Sequence, residues 1–280
     1  MKAPVSLGGI ASLINAFDVF FLDQFGVLHD GAAPYPGALG CLREIKAAKK
    51  KIVILSNSGK RAAENEKRMV QLGFAPDMWD LFLSSGEAAW RMFADGADFK
   101  PGTKCFLINR DKDRSAIDGL GLEMAADAAT ANVILIAASE GDRFELDHYR
   151  RLLAPAAKSG VPCICTNPDK IMLTRAGPKF GAGRIAGLYE ELGGEVTWIG
   201  KPFPAIYEAA LKAAGNPARG KVLCIGDSPE HDIAGAKSAG LASAMVRTGI
   251  HDSLTAKELQ ALFDQHDAAP DFILPGLVWQ

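Results

Sequence analysis

Long apolar runs are missing from this sequence: none approaches the ~20 residues that a membrane span needs. The N-terminus shows no basic region followed by an apolar stretch and a small-residue cleavage site, so a cytoplasmic address is expected rather than a secreted one. Charge of one sign is scarce too. Thirty-one Lys plus Arg face thirty-three Asp plus Glu, a formal charge of -2, which leaves no broad field to hold nucleic acid or an acidic membrane. An anionic ligand must therefore be held locally. The five cysteines (41, 105, 163, 165 and 224) include no C-x-x-C pair, and Cys105, Cys163 and Cys224 sit in short apolar runs where a thiol behaves as a small buried hydrophobe. Histidines 29, 148, 231, 251 and 266 show no H-x-x-x-H pattern and pair with no cysteine at finger spacing, which removes a zinc site. G-x-S-x-G and the P-loop are absent, since Gly59-Lys60 and Gly200-Lys201 lack the glycine five positions earlier. Serine-hydrolase and P-loop nucleotide chemistry drop out.

What remains is an ordinary globular composition, 280 residues with 48% hydrophobic and 23% charged, enough for one large or two modest domains. Short β-branched and aromatic runs alternate with helical patterns, which predicts an α/β fold with a parallel sheet flanked by helices. The run from Val19 to Leu22 is too apolar to alternate, so it reads as a central strand buried on both faces. It ends on Asp23. Residues 51–55 form a second such strand leading into Ser56, Asn57 and Ser58, further strands are predicted at 81–83, 196–199, 222–225 and 241–246, and a short apolar run at 272–274 ends the pattern. Between about 97 and 181 the pattern restarts, with strands at 105–108, 133–137 and 161–165, as an inserted domain would. The expected organisation is a core of 1–97 and 182–280 and an insert of 98–181.

Open α/β sheets bind ligands at the carboxyl ends of their strands. The polar residues there are Asp23, Ser56 with Asn57, Lys201 and Asp227. Carboxylates, a hydroxyl and an ammonium at one rim suit phosphate chemistry. Asp23, Asp227 and Asp232 offer the hard oxygens that Mg²⁺ prefers. Ser56 and nearby backbone N–H groups suit phosphate oxygens, with Lys201 neutralising charge.

Four ordered motifs then resemble those of the haloacid dehalogenase (HAD) superfamily, in the capped class IIA subgroup that includes the NagD, nitrophenyl phosphatase and pyridoxal phosphatase types. They are Phe21 to Gly31 around Asp23, Ile54 to Asn57, Gly200-Lys201-Pro202, and Gly226-Asp227 through Asp232. Thr166 to Asp169 and Gly181-Ala182-Gly183 resemble secondary signatures of that subgroup. The resemblance implies a Rossmann-like core with an inserted α/β cap, and phosphatase activity on a small phosphorylated metabolite. Asp23 is then the nucleophile that forms an aspartyl phosphate. Mg²⁺ is held by Asp23, Asp227, Asp232 and the backbone carbonyl of Phe25, while Ser56, Asn57, Ser58 and Lys201 bind and stabilise the phosphoryl group. Pro168 and Asp169 shape the pocket, and copies pair through cap surfaces as a homo-oligomer.

One departure matters. Phosphatases of this family carry a second aspartate two residues after the nucleophile, as proton donor and then base, and here that position is Phe25. A positioned acid or base contributes ~10² to 10⁴ in rate, so slow turnover is expected. His29, in the turn just beyond, is the candidate replacement because its ordinary pKa lies near neutrality. A non-catalytic or regulatory protein that binds a phosphorylated ligand is the alternative that Phe25 favours.

Overall fold

The alternating pattern becomes two mostly parallel α/β units in the computed structural model, which describes residues 3–96, 99–174 and 177–280. In chain order the elements are β1 (Val5–Ser6), β2 (Val19–Leu22), α1 (Ala38–Ala47), β3 (Lys51–Ser56), α2 (Ala62–Gln71), β4 (Leu81–Ser84) and α3 (Ser85–Asp95). Then come β5 (Lys104–Ile108), β6 (Glu123–Met124), β7 (Val133–Ile136), α4 (Leu146–Lys158), β8 (Cys163–Cys165), β9 (Ile171–Thr174), β10 (Gly177–Phe180), α5 (Ala182–Glu191) and β11 (Val196–Trp198). The chain finishes with α6 (Pro204–Ala213), β12 (Val222–Gly226), α7 (Ala234–Ser238), β13 (Ala242–Val246), α8 (Ala256–Gln265) and β14 (Phe272–Leu274).

The first unit comprises residues 1–56, 63–83 and 201–280. Its sheet runs β1-β14-β13-β12-β2-β3-β4. From β2 the chain winds outward through β3 and β4, then returns on the other side of β2 as β12, so the order reverses between β2 and β12. That switch point is where an open parallel sheet leaves a crevice at its carboxyl rim. Register fixes which residues reach it: Leu22 lies opposite Ile225 and Ile54, and the Asp23 N–H donates to the Ile225 carbonyl at 2.9 Å. Asp23 and Asp227 are thereby delivered from neighbouring strands. All four residues of β2 are buried, as are Ile52 to Ile54 and Val222 to Ile225. Burial on both faces is why these strands read as continuous apolar runs.

The second unit comprises residues 57–62 and 84–200, around a parallel sheet ordered β11-β8-β7-β5-β6 and an antiparallel β9–β10 ribbon. Leu153 and Ala156 of α4, with Ile185, Leu188 and Tyr189 of α5, share one core with Ile134, Ile136, Cys163 and Cys165. The boundaries differ from the expected insert of 98–181. Helix α3 falls in the second unit: Gly86 N–H donates to the Ser58 carbonyl, Trp90 Nε1 to the Asp118 carbonyl at 2.9 Å, and Phe93 packs on Phe99 with ring centroids 4.6 Å apart. The expected first crossing, between residues 97 and 98, lies outside the described residues. At the return, α5 and β11 stay in the second unit, because β11 pairs in parallel with β8. The crossing back falls between 200 and 201 instead of 181 and 182.

No helix among the described residues is long and apolar enough to cross a membrane. Leu153 is fully buried in the second core, so Leu153→Ala should destabilise the protein by about 2–5 kcal/mol through lost burial and a residual cavity, read as an earlier urea midpoint in far-UV circular dichroism.

Candidate active site

Each strand end at the switch point contributes one functional group. Asp23 follows β2, Ser56 closes β3 and Asp227 follows β12, while Lys201 comes from the turn before α6 and Asp232 from the π-helical turn Pro229–Ile233 that leads into α7. Lys201 is 3% exposed, and its ammonium donates to Asp23 Oδ1 at 2.6 Å and to Asp232 Oδ1 at 2.7 Å. The other Asp232 oxygen accepts from the Ser228 N–H at 3.1 Å, which fixes the turn from Asp227 to Asp232. Gly226 allows this approach, since a Cβ there would lie 2.0 Å from Asp232 Cγ.

Three carboxylates meet. Asp23, Asp227 and Asp232 each offer an oxygen, all within 4.8 Å of one another, a spacing that one hard divalent cation can bridge. Asp227 is 4% exposed and wedged between two glycines in the left-handed region. A Cβ on Gly26 (φ +91°) would lie 2.3 Å from Asp227 Oδ2, and one on Gly249 (φ +79°) only 2.0 Å away. Thr248 Oγ1 donates to the Gly26 carbonyl at 2.6 Å and ties the two glycine turns together.

Burial alone would lower the Lys201 pKa, but Asp23 and Asp232 raise it above its ordinary value and keep the ammonium charged. Burial pushes the Asp23 carboxyl up to about 7, with Lys201 pulling down and Asp232 pushing up. Burial dominates at Asp23, while the two carboxylates in contact with Lys201 dominate at the ammonium. A cavity of 10 Å³ beneath the group is lined by Asp23, Lys201, Asp232, Tyr207 and Cys224. A larger hollow of 390 Å³, lined by Ser243, Asp271 and Phe272 at the amino ends of β13 and β14, shares no residue with this site.

Ser56 and Asn57 are each 6% exposed, and Ser58 is half-buried. Within the second unit, Asn57 Nδ2 donates to Asp169 Oδ1 at 2.8 Å. The loop carrying Asp169 is gripped by Gly181 and Gly183, where added Cβ atoms would lie 2.1 Å and 2.0 Å from the Asp169 and Pro168 carbonyl oxygens. The signatures Thr166 to Asp169 and Gly181-Ala182-Gly183 are therefore two sides of one packing contact. Nothing in the sequence announces Asn57 as the partner of Asp169, or Gly249 as a wall for Asp227.

His29 does not fit the proton-transfer role considered for it. It is 3% exposed, and its Nδ1 accepts from the Gly31 N–H at 3.0 Å, so the proton sits on Nε2. That nitrogen is buried and finds no hydrogen-bond partner among the described residues. The ring packs edge-on against Phe25 and Phe74. Burial, with Arg68 in support, pushes its pKa down to about 4.

Known proteins with this architecture are recognisable at this point. A family model described as haloacid dehalogenase-like hydrolase matches residues 20–123, and a related HAD-hydrolase-like model matches 198–279. The sugar-phosphatase AraL of Bacillus subtilis is 28% identical over 280 residues, covering 98% of this chain and 92% of its own. Among solved structures, a haloacid dehalogenase-like family hydrolase from Brucella suis superimposes with a TM-score of 0.83 at 25% identity, covering 97% of this chain and 100% of its own. The p-nitrophenyl phosphatase of Archaeoglobus fulgidus gives 0.75 at 28% identity, with coverages of 93% and 97%.

Two expectations follow from the geometry. Gly249→Ala forces a methyl group into the Asp227 carboxylate, so divalent-cation binding at the three carboxylates, read by calorimetric titration, should be at least about tenfold weaker than in wild type, equivalent to about 1.4 kcal/mol, with the far-UV spectrum unchanged. For His29, the unfolded imidazole takes up a proton near its ordinary pKa of about 6.5, the folded one only near 4. The stability held by the neutral ring is complete above the first value and declines as pH falls toward the second, by up to about 3 kcal/mol. His29→Gln should flatten the loss of unfolding free energy between pH 7 and pH 4.

Proposed function

Because this chain belongs to the haloacid dehalogenase-like hydrolases, we propose that it is a Mg²⁺-dependent phosphatase acting on a small phosphomonoester through an aspartyl phosphate at Asp23. One observation carries the reading: a buried ammonium and three carboxylates converge at the sheet's switch point, with oxygens close enough to share an ion. The names of its relatives, a sugar phosphatase and a p-nitrophenyl phosphatase, support a phosphorylated sugar or similar metabolite as substrate.

Asp23 attacks phosphorus with a carboxylate oxygen and so divides the displacement into two easier steps. Lys201, anchored by Asp232, keeps the nucleophile's oxygen oriented and opposes the charge gathering on the phosphoryl group. Ser56, Asn57 and Ser58 supply donors to the phosphoryl oxygens, with Asn57 steadied by Asp169. Asp23, Asp227, Asp232 and the Phe25 carbonyl form the donor set for Mg²⁺. The bound ion supplies charge neutralisation, without which carboxylate and phosphate repel each other. The all-oxygen donors favour Mg²⁺ over softer metals. The second unit is read as the cap that selects the substrate. Five cysteines that are all free and buried support a reducing, cytoplasmic setting.

A second reading has one observation in its favour. Phe25 carries no transferable proton, which suits a protein that binds a phosphorylated ligand without turning it over. Phosphate release from a panel of sugar, nucleotide and aryl phosphates with Mg²⁺ separates the two. Under the phosphatase reading, wild type releases phosphate and Asp23→Asn does not. Phe25→Asp should raise turnover by about 10²-fold or more. Ligand binding with no release from any ester would favour the second reading.

A further inference from the structure

The proton inventory around Asp23 points to a substrate class. When the Asp23 oxygen bonds to phosphorus, the P–O bond to the leaving group breaks and that oxygen departs with the electron pair. It leaves as an anion unless a side chain delivers a proton. On the nucleophile's own loop, Phe25 presents a ring 37% exposed, seated against Gly31, where a Cβ would lie 3.1 Å from Phe25 Cε2. Among the described residues, several titratable groups of this unit near the loop are engaged or enclosed. His29 is enclosed, with Nδ1 accepting from Gly31. Asp30 Oδ1 accepts from the Ala32 and Ala33 N–H groups, both at 2.8 Å. Asp232 is shared between Lys201 and Ser228, and Asp227 is walled in by Gly26 and Gly249. Tyr207 directs its hydroxyl to the backbone carbonyls of His231 and Asp232.

We infer that this site selects phosphoryl groups carried on oxygens of low basicity, aryl and acyl phosphates, over the alkyl phosphates of alcohols and sugars. This rests on the phosphatase reading above but departs from the sugar phosphate that the relatives' names suggest. An alkoxide is about as basic as hydroxide, whose conjugate acid has a pKa of about 15.7, whereas a phenolate is near 10 and a carboxylate near 4. A proton donor is decisive for the first and dispensable for the last. The steps balance without one. First, the Asp23–phosphorus bond forms and RO⁻ leaves, taking any proton later from water. Then water attacks phosphorus, the bond to Asp23 breaks, the carboxylate is restored, and the water's proton passes to the released phosphate or to solvent.

The test uses the full chain with Mg²⁺ and a series of substituted phenyl phosphates from electron-poor to electron-rich, together with acetyl phosphate and glycerol phosphate. The rate with Asp23→Asn is subtracted throughout. The expected result is a steep decline of kcat/KM with leaving-group basicity, at least about 100-fold from nitrophenyl phosphate to glycerol phosphate. Phe25→Asp should gain most on the most basic leaving groups and flatten the dependence, while Phe25→Leu keeps it steep. A shallow dependence in wild type, or a Phe25→Asp gain equal across the series, overturns the inference and leaves the phosphatase reading standing. Should Phe25→Asp fail to fold, the wild-type slope alone decides. No release above the Asp23→Asn rate from any compound would bring down both.

Discussion

The rest of the site depends on one buried ammonium held between two carboxylates. Lys201 lies 2.6 Å from Asp23 and 2.7 Å from Asp232, and it is almost inaccessible to water. Removing these charges from water costs several kcal/mol per ion, which mutual attraction offsets only when the geometry is good and the remaining lone pairs are satisfied. Here Ser228 satisfies the second oxygen of Asp232. Asp227 brings a third carboxylate to the same place, so three negative groups face one positive one. The excess is the charge of one divalent ion, while the upward push on the Asp23 carboxyl comes first from its burial, with Asp232 adding to it and Lys201 opposing it. An arrangement that is electrostatically incomplete by itself has little purely structural use, since well-packed apolar residues would serve stability as well.

Topology makes the cluster possible. Sequential winding places β3 and β4 on one side of β2 and β12 on the other, so residues separated by two hundred positions in sequence end strands that are hydrogen-bonded neighbours. The register of Leu22 with Ile225 then sets Asp23 beside Gly226 and just short of Asp227. Glycine decides the final ångströms. At positions 26, 226 and 249 the carboxylates of Asp227 and Asp232 occupy the space a side chain would need.

Much of this was legible in the sequence, for a physical reason. Strands buried on both faces must be apolar throughout, so β2, β3 and β12 stand out, and a polar residue ending such a run is conspicuous. The elements that escaped are those whose identity rests on pairing instead of burial. The two-residue strands β1 and β6 are exposed, and β9–β10 is a ribbon in a glycine-rich stretch that reads as a connection. The domain boundary was misplaced for a similar reason. Val196 to Trp198 is only partly buried, and nothing in its composition says that its partner is β8 and not a strand of the other sheet. His29 shows the same gap at a single residue: its ordinary pKa near neutrality suggested a proton carrier, while its ring packs against Phe25 and against Phe74, far along the chain.

Phe25 is the position where fold and chemistry separate. The turn around it is held by other groups: the Gly26 and Gly31 backbones at positive φ, the Gly31 N–H on His29, and the Asp30 carboxylate on the two amides that follow. None of these contacts requires a carboxylate at residue 25. A loop built this way keeps its backbone, and with it the carbonyl of residue 25 and the placement of Asp23, whichever side chain stands there. The Asp23 carboxylate, the Lys201 ammonium and the acidic oxygens of Asp227 and Asp232 belong to the architecture of the sheet, and their loss would disturb a buried charge network. Proton transfer would rest on one partly exposed side chain, whose only ring contact among the described residues is with His29. Under the phosphatase reading, a single substitution at this point changes which leaving groups depart without unmaking the cluster of Asp23, Lys201, Asp227 and Asp232.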